Sequence, residues 1–317
     1  MTSRHLVDPE LRPLLDQLPD IELTRELLPA LRAMPSAVVC EATPPEAVAI
    51  ENLEVPGPGG APNVRLAVYT PRGASGPLPC VFHVHGGGFI AGSAEAYEPL
   101  HRQTVVKTGA ILVAVSYRLA PETPFPGAIE DCYASLAWVF RNAARLGIDP
   151  ARIGVMGESA GGGLAAALAL LARDRGELRL AFQHLVYPML DDRTCTAPPQ
   201  PYAGEFLWTA SSNRFGWSSL LGHEPGREGV SPYAAPARAG DLAGLPQTFI
   251  ATAALDLFVE ENLEYARRLL RAGVPVELRL YPGAFHAFDL LSTARVSVAA
   301  RDESLAALAR ALAPRAT

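Results

Sequence analysis

At 317 residues, 49% of them hydrophobic, the chain is long for one core and short for two full domains, with ample apolar material for a large buried sheet. A formal net charge of −6 argues against nucleic acid and anionic membrane as partners, because both need clustered positive charge. The four cysteines, Cys40, Cys80, Cys132 and Cys195, show neither CxxC nor metal-ligand spacing, so reduced thiols are expected in place of a disulfide framework or a metal centre.

The first ten residues, Met1 to Glu10, lack the basic start and apolar core of a secretory signal. The longest uncharged helical run, Ser159 to Ala172, has 14 residues, against the roughly 20 needed to cross a bilayer. The expected compartment is the cytoplasm, without membrane insertion. Residues 1–45 carry short helical patterns, including Ile21 to Met34. Strands are expected near 48–54 and 63–70, joined by the turn-rich Pro56-Gly57-Pro58-Gly59-Gly60 as an antiparallel edge hairpin. Further strands are expected near 79–85, 111–116, 152–157, 180–187, 247–253 and 276–281, separated by helical patterns such as Ala128 to Leu146 and Glu260 to Ala272. This alternation predicts an α/β fold, a mostly parallel eight-stranded sheet with helices on both faces and functional residues at the carboxyl ends of its strands. Residues 190–235 break the alternation, being polar, aromatic and Pro-rich where one crossover helix is expected.

Two glycine-rich segments carry the chemistry. His85-Gly86-Gly87-Gly88-Phe89 follows the strand-like Cys80 to Val84, and its bare backbone N–H groups suit an oxyanion hole. A phosphate loop would need a following Lys-Ser or Lys-Thr pair, which is absent. Gly157-Glu158-Ser159-Ala160-Gly161 joins the apolar run Ile153 to Met156 to an Ala-rich helix, so Ser159 falls on a sharp strand-to-helix turn. The bland alternative is that Ser159 only packs or caps that helix start. A serine hydroxyl is a poor nucleophile and needs an imidazole base held by a carboxylate. Asp256 lies just past the strand near 247–253 and His286 just past the strand near 276–281, so the order is Ser159, Asp256, His286. Asp256 could instead cap the next helix. Among the other histidines, His83 and His184 read as buried strand residues, His5 and His101 as surface residues, His223 as part of a polar segment, and His85 as a brace for its loop.

These segments, with Tyr117-Arg118-Leu119-Ala120-Pro121-Glu122, Phe125-Pro126, Asp256-Leu257-Phe258 and Gly283-Ala284-Phe285-His286-Ala287-Phe288, resemble the bacterial hormone-sensitive-lipase-like (family IV) carboxylesterases of the α/β-hydrolase superfamily. The resemblance implies an α/β-hydrolase core with a helical cap: residues 1–45 and 190–235 as the cap, 46–189 and 236–317 as the core. It implies Ser159 as nucleophile, His286 as base, Asp256 as its orienting acid, and the N–H groups of Gly87, Gly88 and Ala160 as the oxyanion hole. It implies a small-molecule ester substrate of short to medium chain, no metal or organic cofactor, and a homodimer through the edge strand Val276 to Tyr281. Met34, Phe206, Leu207, Trp208, Phe215 and Trp217 are candidate lining residues of the capped site. Three positions depart from the family pattern: Glu158 where Asp is frequent, the acid segment with Glu260 as an alternative acid, and Ala287 where Gly is common. An amide hydrolase would use the same apparatus and stays open. A receptor on this fold, as in the plant gibberellin receptors, lacks the working histidine that His286 supplies here.

Overall fold

Eight runs rich in Val, Ile, Leu and Ala form one sheet in the computed structural model, which describes residues 3–17, 22–35 and 38–314. The strands are β1 (Val48–Val55), β2 (Val64–Pro71), β3 (Leu78–Val84), β4 (Ile111–Ser116), β5 (Ile148–Glu158), β6 (Phe182–Val186), β7 (Gln247–Ala253) and β8 (Val276–Tyr281). Their spatial order is β1-β2-β4-β3-β5-β6-β7-β8. The edge hairpin of β1 and β2 is present, β2 also pairs antiparallel with β4, and every other pairing is parallel. All eight expected strands are found, although β5 starts four residues early, at Ile148, and shifts register against β3 between Leu78 and Cys80. Parallel strands covered on both faces must be apolar throughout, and β3, β4 and β6 are buried almost end to end.

The helices of more than ten residues are α1 (Glu98–Thr108), α2 (Gly127–Arg141), α3 (Ala160–Arg175), α4 (Ala210–Leu221), α5 (Val259–Arg271) and α6 (Arg295–Leu312). One apolar cluster joins α2, α3 and α5 to one face of the sheet, and another joins α1 and α6 to the opposite face. Helix α3 is buried from Ala160 through Ala172, which explains its composition: only Ala, Gly and Leu leave room for neighbours on every side. The expected single helix from Ala128 to Leu146 breaks at Asn142, whose Nδ2 donates to the Trp138 carbonyl at 2.9 Å and competes with the helical ladder.

The described residues of segments 3–44 and 187–246 add no strand. The helical pattern expected from Ile21 to Met34 shrinks to Leu28–Arg32, confined between Pro29 in its first turn and Pro35 beyond it; Ile21 lies outside the described residues. Helix α4 is started by Thr209, whose Oγ1 accepts from the Ser212 N–H. The two segments meet each other and the core. Ser3 Oγ donates to Glu205 at 2.7 Å, while Leu23, Leu28, Leu31 and Phe215 pack on Ile90, Ala91 and Ala120. The Arg32 guanidinium holds both Glu122 carboxylate oxygens and donates to the carbonyls of Ile90 and Ala120. Asp8 and Val39 donate their N–H groups to Gly283 and Leu290 near the other end of the chain. No helix among the described residues is long and apolar enough to cross a membrane.

Candidate active site

Ser159 sits between the last residue of β5 and the first of α3 with φ 56° and ψ −122°, a backbone conformation that L-residues seldom adopt. Such a residue costs on the order of 1–3 kcal/mol and persists only where its surroundings fix it. Here its N–H donates to Val186 O at 2.9 Å, and its carbonyl accepts from Met189 at 2.9 Å and Gly163 at 3.0 Å. The flanking glycines answer to crowding: a Cβ on Gly157 would strike Val84 O and the Gly161 backbone, and one on Gly161 would strike the carbonyls of Val84 and His85. Strand β3, the turn and α3 thereby approach backbone to backbone.

The other two residues arrive on separate loops tied together. After β7, Ala254 and Leu255 donate to the carbonyls of Tyr281 and Ala284 at 3.0 and 2.9 Å, which stitches the Asp256 turn to the His286 loop. His286 Nδ1 lies 2.7 Å from Asp256 Oδ2, and His286 Nε2 lies 2.9 Å from Ser159 Oγ. The ionised carboxylate can only accept, so Nδ1 carries the proton and Nε2 turns a lone pair to the serine hydroxyl. Asp256 Oδ1 also accepts from the Phe258 N–H at 3.0 Å, a local turn bond, whereas the N-cap of α5 is Phe258 and no side chain caps that helix, so Asp256 is not its N-cap. Relative exposures of 6% for Ser159, 1% for Asp256 and 5% for His286 leave the array open only at the serine–histidine end. Glu260, the alternative acid, is exposed on α5.

The glycine loop ends beside this array. Gly87 and Gly88 take φ of 121° and 60°, and their N–H groups donate to no protein acceptor among the described residues. Ala160 opens α3 at the positive end of that helix. His85 braces the loop as expected: its Nδ1–H donates to Gly86 O at 2.8 Å, and its ring stacks on Tyr117 at 4.3 Å. Burial lowers the His85 pKa to about 4, so the ring is neutral at working pH.

One histidine expectation is overturned. His101, read as a surface residue, is fully buried on α1, because it shares a helical face with Leu100, Thr104 and Val105 and turns inward with them. Its Nε2 lies 3.0 Å from His83 Nδ1, and His83 Nε2 lies 2.8 Å from Glu158 Oε2. The carboxylate at the variable elbow position thus points away from the serine, into a sealed pair of imidazoles. Ala287 adopts φ 57°, which accounts for glycine being common after the histidine.

The candidate lining residues part company. Trp208 stands 6.2 Å from His286, ring to ring, and its Cη2 fills the space a Cβ on Gly88 would need. Phe206 packs on Phe285, and Phe215 on the cluster around Ile90. Trp217 is not a lining residue: it is wholly buried against Phe89, since position 217 falls on the inner face of α4. Met34 is 61% exposed. Sequence reasoning missed Tyr187 and Asp289. Tyr187 places its ring edge-on to His286 at 4.9 Å and donates its hydroxyl to Asp289 at 2.8 Å. The signal was available, since Tyr187 immediately follows β6 at the carboxyl edge of the sheet where the other site residues gather.

Known proteins show the same construction. The sequence model of a family described by its α/β-hydrolase fold matches residues 81–290. The chain is 37% identical to carboxylesterase NlhH of Mycobacterium tuberculosis H37Rv, with 98% of each protein covered. Among solved structures, a bacterial heroin esterase superposes with a TM-score of 0.88 at 40% identity, covering 99% of this chain and 100% of its own. Esterase LipW from Mycobacterium marinum superposes at 0.83 with 34% identity and 98% of both chains covered. Since the likeness runs through both chain-terminal thirds as well as the matched centre, the chain belongs to the α/β-hydrolase fold family, in its hormone-sensitive-lipase-like carboxylesterase branch, and is an ester hydrolase.

Proposed function

We propose that Ser159, His286 and Asp256 carry out ester hydrolysis in two acyl transfers, with the N–H groups of Gly87, Gly88 and Ala160 as the oxyanion hole. His286 Nε2 takes the hydroxyl proton as Ser159 Oγ bonds to the ester carbonyl carbon, and the carbonyl oxygen becomes an oxyanion facing the three N–H groups. The bond to the alcohol oxygen then breaks, and that oxygen receives the proton from Nε2. Water attacks the acyl-enzyme, gives a proton to Nε2, and Ser159 Oγ leaves with that proton as the carboxylic acid is released. The observation that supports this reading is the continuous path from Asp256 to His286 to Ser159 at 2.7 and 2.9 Å, ending beside the unpaired N–H groups of the glycine loop.

Finer features belong to the same proposal. Residues 1–45 and 190–235 act as the cap over cores 46–189 and 236–317, and such a cover favours short- to medium-chain esters by enclosing a limited apolar space. The contacts of Ser3 with Glu205, and of Leu28 and Phe215 with Ile90, support it. Edge strand β8 presents Leu278 and Leu280, 39% and 47% exposed, and a second copy pairing there would make the homodimer. Four unpaired thiols fit a reducing compartment, the cytoplasm.

The test is hydrolysis of p-nitrophenyl esters from acetate to palmitate by wild type and Ser159→Ala, alongside fluorophosphonate labelling. Activity peaking at short or medium acyl groups and lost in the variant supports the proposal. Ester hydrolysis that survives Ser159→Ala refutes the nucleophile; labelling of Ser159 with amides cleaved faster than esters selects the amide-hydrolase reading.

A further inference from the structure

We infer that Trp208 decides which alcohols this esterase accepts, favouring flat aromatic leaving groups that lie against its indole ring. The inference rests on Ser159, His286 and Gly88 acting as proposed above. In the tetrahedral adduct the former carbonyl oxygen faces the Gly88 N–H, and the leaving oxygen faces His286 Nε2. Trp208 borders both places: its Cη2 occupies the space beside the Gly88 Cα, and its ring centroid is 6.2 Å from the imidazole. A group carried on the leaving oxygen must therefore pass along the indole, whereas the acyl chain departs from a different corner of the tetrahedron.

The surrounding chain fixes that ring in place. Leu207 adopts φ 61°, and the Trp208 N–H donates to Phe206 O at 2.8 Å, closing a tight, strained turn around Leu207. Trp208 Nε1 donates at 3.3 Å to Oδ1 of the fully buried Asn213, whose Nδ2 in turn donates to Cys195 Sγ at 3.2 Å. Gly216 lets α4 come close, since a Cβ there would stand 2.9 Å from Gly88 O and 3.4 Å from Trp208 Cζ2. Strain, a buried polar anchor and a missing side chain all serve one orientation of one ring, which remains partly exposed beside the serine. Stacking between aromatic groups is worth enough to shift a rate ratio by about two- to tenfold.

The experiment compares kcat/KM for phenyl acetate and butyl acetate in wild type, Trp208→Leu and Trp208→Phe, with phenyl esters of increasing acyl length as a second series. Taking the phenyl-to-butyl ratio of each variant relative to wild type cancels the intrinsic reactivity of phenyl esters. The expected result is a ratio lowered about two- to tenfold in Trp208→Leu and recovered in Trp208→Phe, with the acyl-length profile keeping its shape. An unchanged ratio in a Trp208→Leu protein that still labels with fluorophosphonate overturns the inference, and so does a shifted acyl profile. Competitive inhibition of the wild type by phenol and by cyclohexanol needs no variant: phenol should bind more tightly, and equal inhibition constants overturn the inference. Ester hydrolysis that persists in Ser159→Ala is a separate outcome, which removes the nucleophile reading and this inference with it.

Discussion

Glu158 and Ser159 are neighbours in the chain and head two arrays of the same chemical kind. Ser159 leads to His286 and Asp256; Glu158 leads to His83 and His101. Each array contains a carboxylate 2.7–2.8 Å from an imidazole. The first ends on a hydroxyl beside unpaired N–H groups at the carboxyl edge of the sheet. The second ends at His101 Nδ1, which meets no partner among the described residues, and burial holds that ring well below the ordinary histidine pKa. A carboxylate–histidine pair is therefore not in itself a site. What separates the two arrays is a hydroxyl at the end of one, free N–H groups beside it and access, and the turn of backbone at the elbow sends the two side chains apart.

The widest separation between the arrays should come from Ser159→Ala, which lowers kcat on p-nitrophenyl acetate on the order of a millionfold with little change in unfolding midpoint. Asp256→Asn keeps the geometry but allows the wrong imidazole tautomer, so kcat falls by about ten-thousandfold. Breaking the lower array works in the other currency. Glu158→Ala leaves His83 Nε2 buried without a partner and should cost about 1–3 kcal/mol in urea unfolding, while fluorophosphonate still labels Ser159.

Thermal unfolding across pH sharpens the contrast further. Burial raises the Asp289 carboxyl to about 6, above its ordinary 3.8. A group raised in the folded state favours folding at low pH and opposes it as pH climbs through 6. Asp289→Asn should therefore be more stable than wild type at neutral pH, by about 1–2 kcal/mol, with the gap closing below about pH 4. The neutral histidines act in the opposite sense: burial lowers His85 to about 4 and His184 to about 3, so wild-type stability is kept above 6.5 and lost as pH falls below it. The smallest effect is expected at Ala287, where replacement by Gly removes a left-handed backbone penalty of about 1 kcal/mol but adds unfolded-state entropy, leaving a gain of a few tenths by calorimetry.

Strands and motifs were legible because each rests on a local cause. Apolar runs such as Ile111 to Val115 have no other use than burial, and the glycines around Ser159 answer to contacts within a few residues or with the adjoining strand. His101 was misread because a histidine amid Arg102 and Gln103 looks solvated unless its helical face is traced. Tyr187 could have been suspected from its place after β6, but its bond to Asp289 joins residues 102 positions apart, and Asp289 carries no local signal. The segment 190–235 showed only that it was no crossover helix, since α4 takes its orientation from the glycine loop and from Leu28, neither of which is near in sequence.

The stitching of Asp8 to Gly283, Val39 to Leu290 and Glu10 to Arg295 has a consequence in time. Asp8, Glu10 and Val39 are synthesised more than two hundred residues before the partners they meet at Gly283, Arg295 and Leu290. Val7 and Leu11, buried in one cluster with Tyr281, Phe285 and Phe288, must wait uncovered until that stretch has been made. These residues can therefore dock only once the stretch from Tyr281 to Arg295 has left the ribosome, so the order of synthesis and the order of assembly differ.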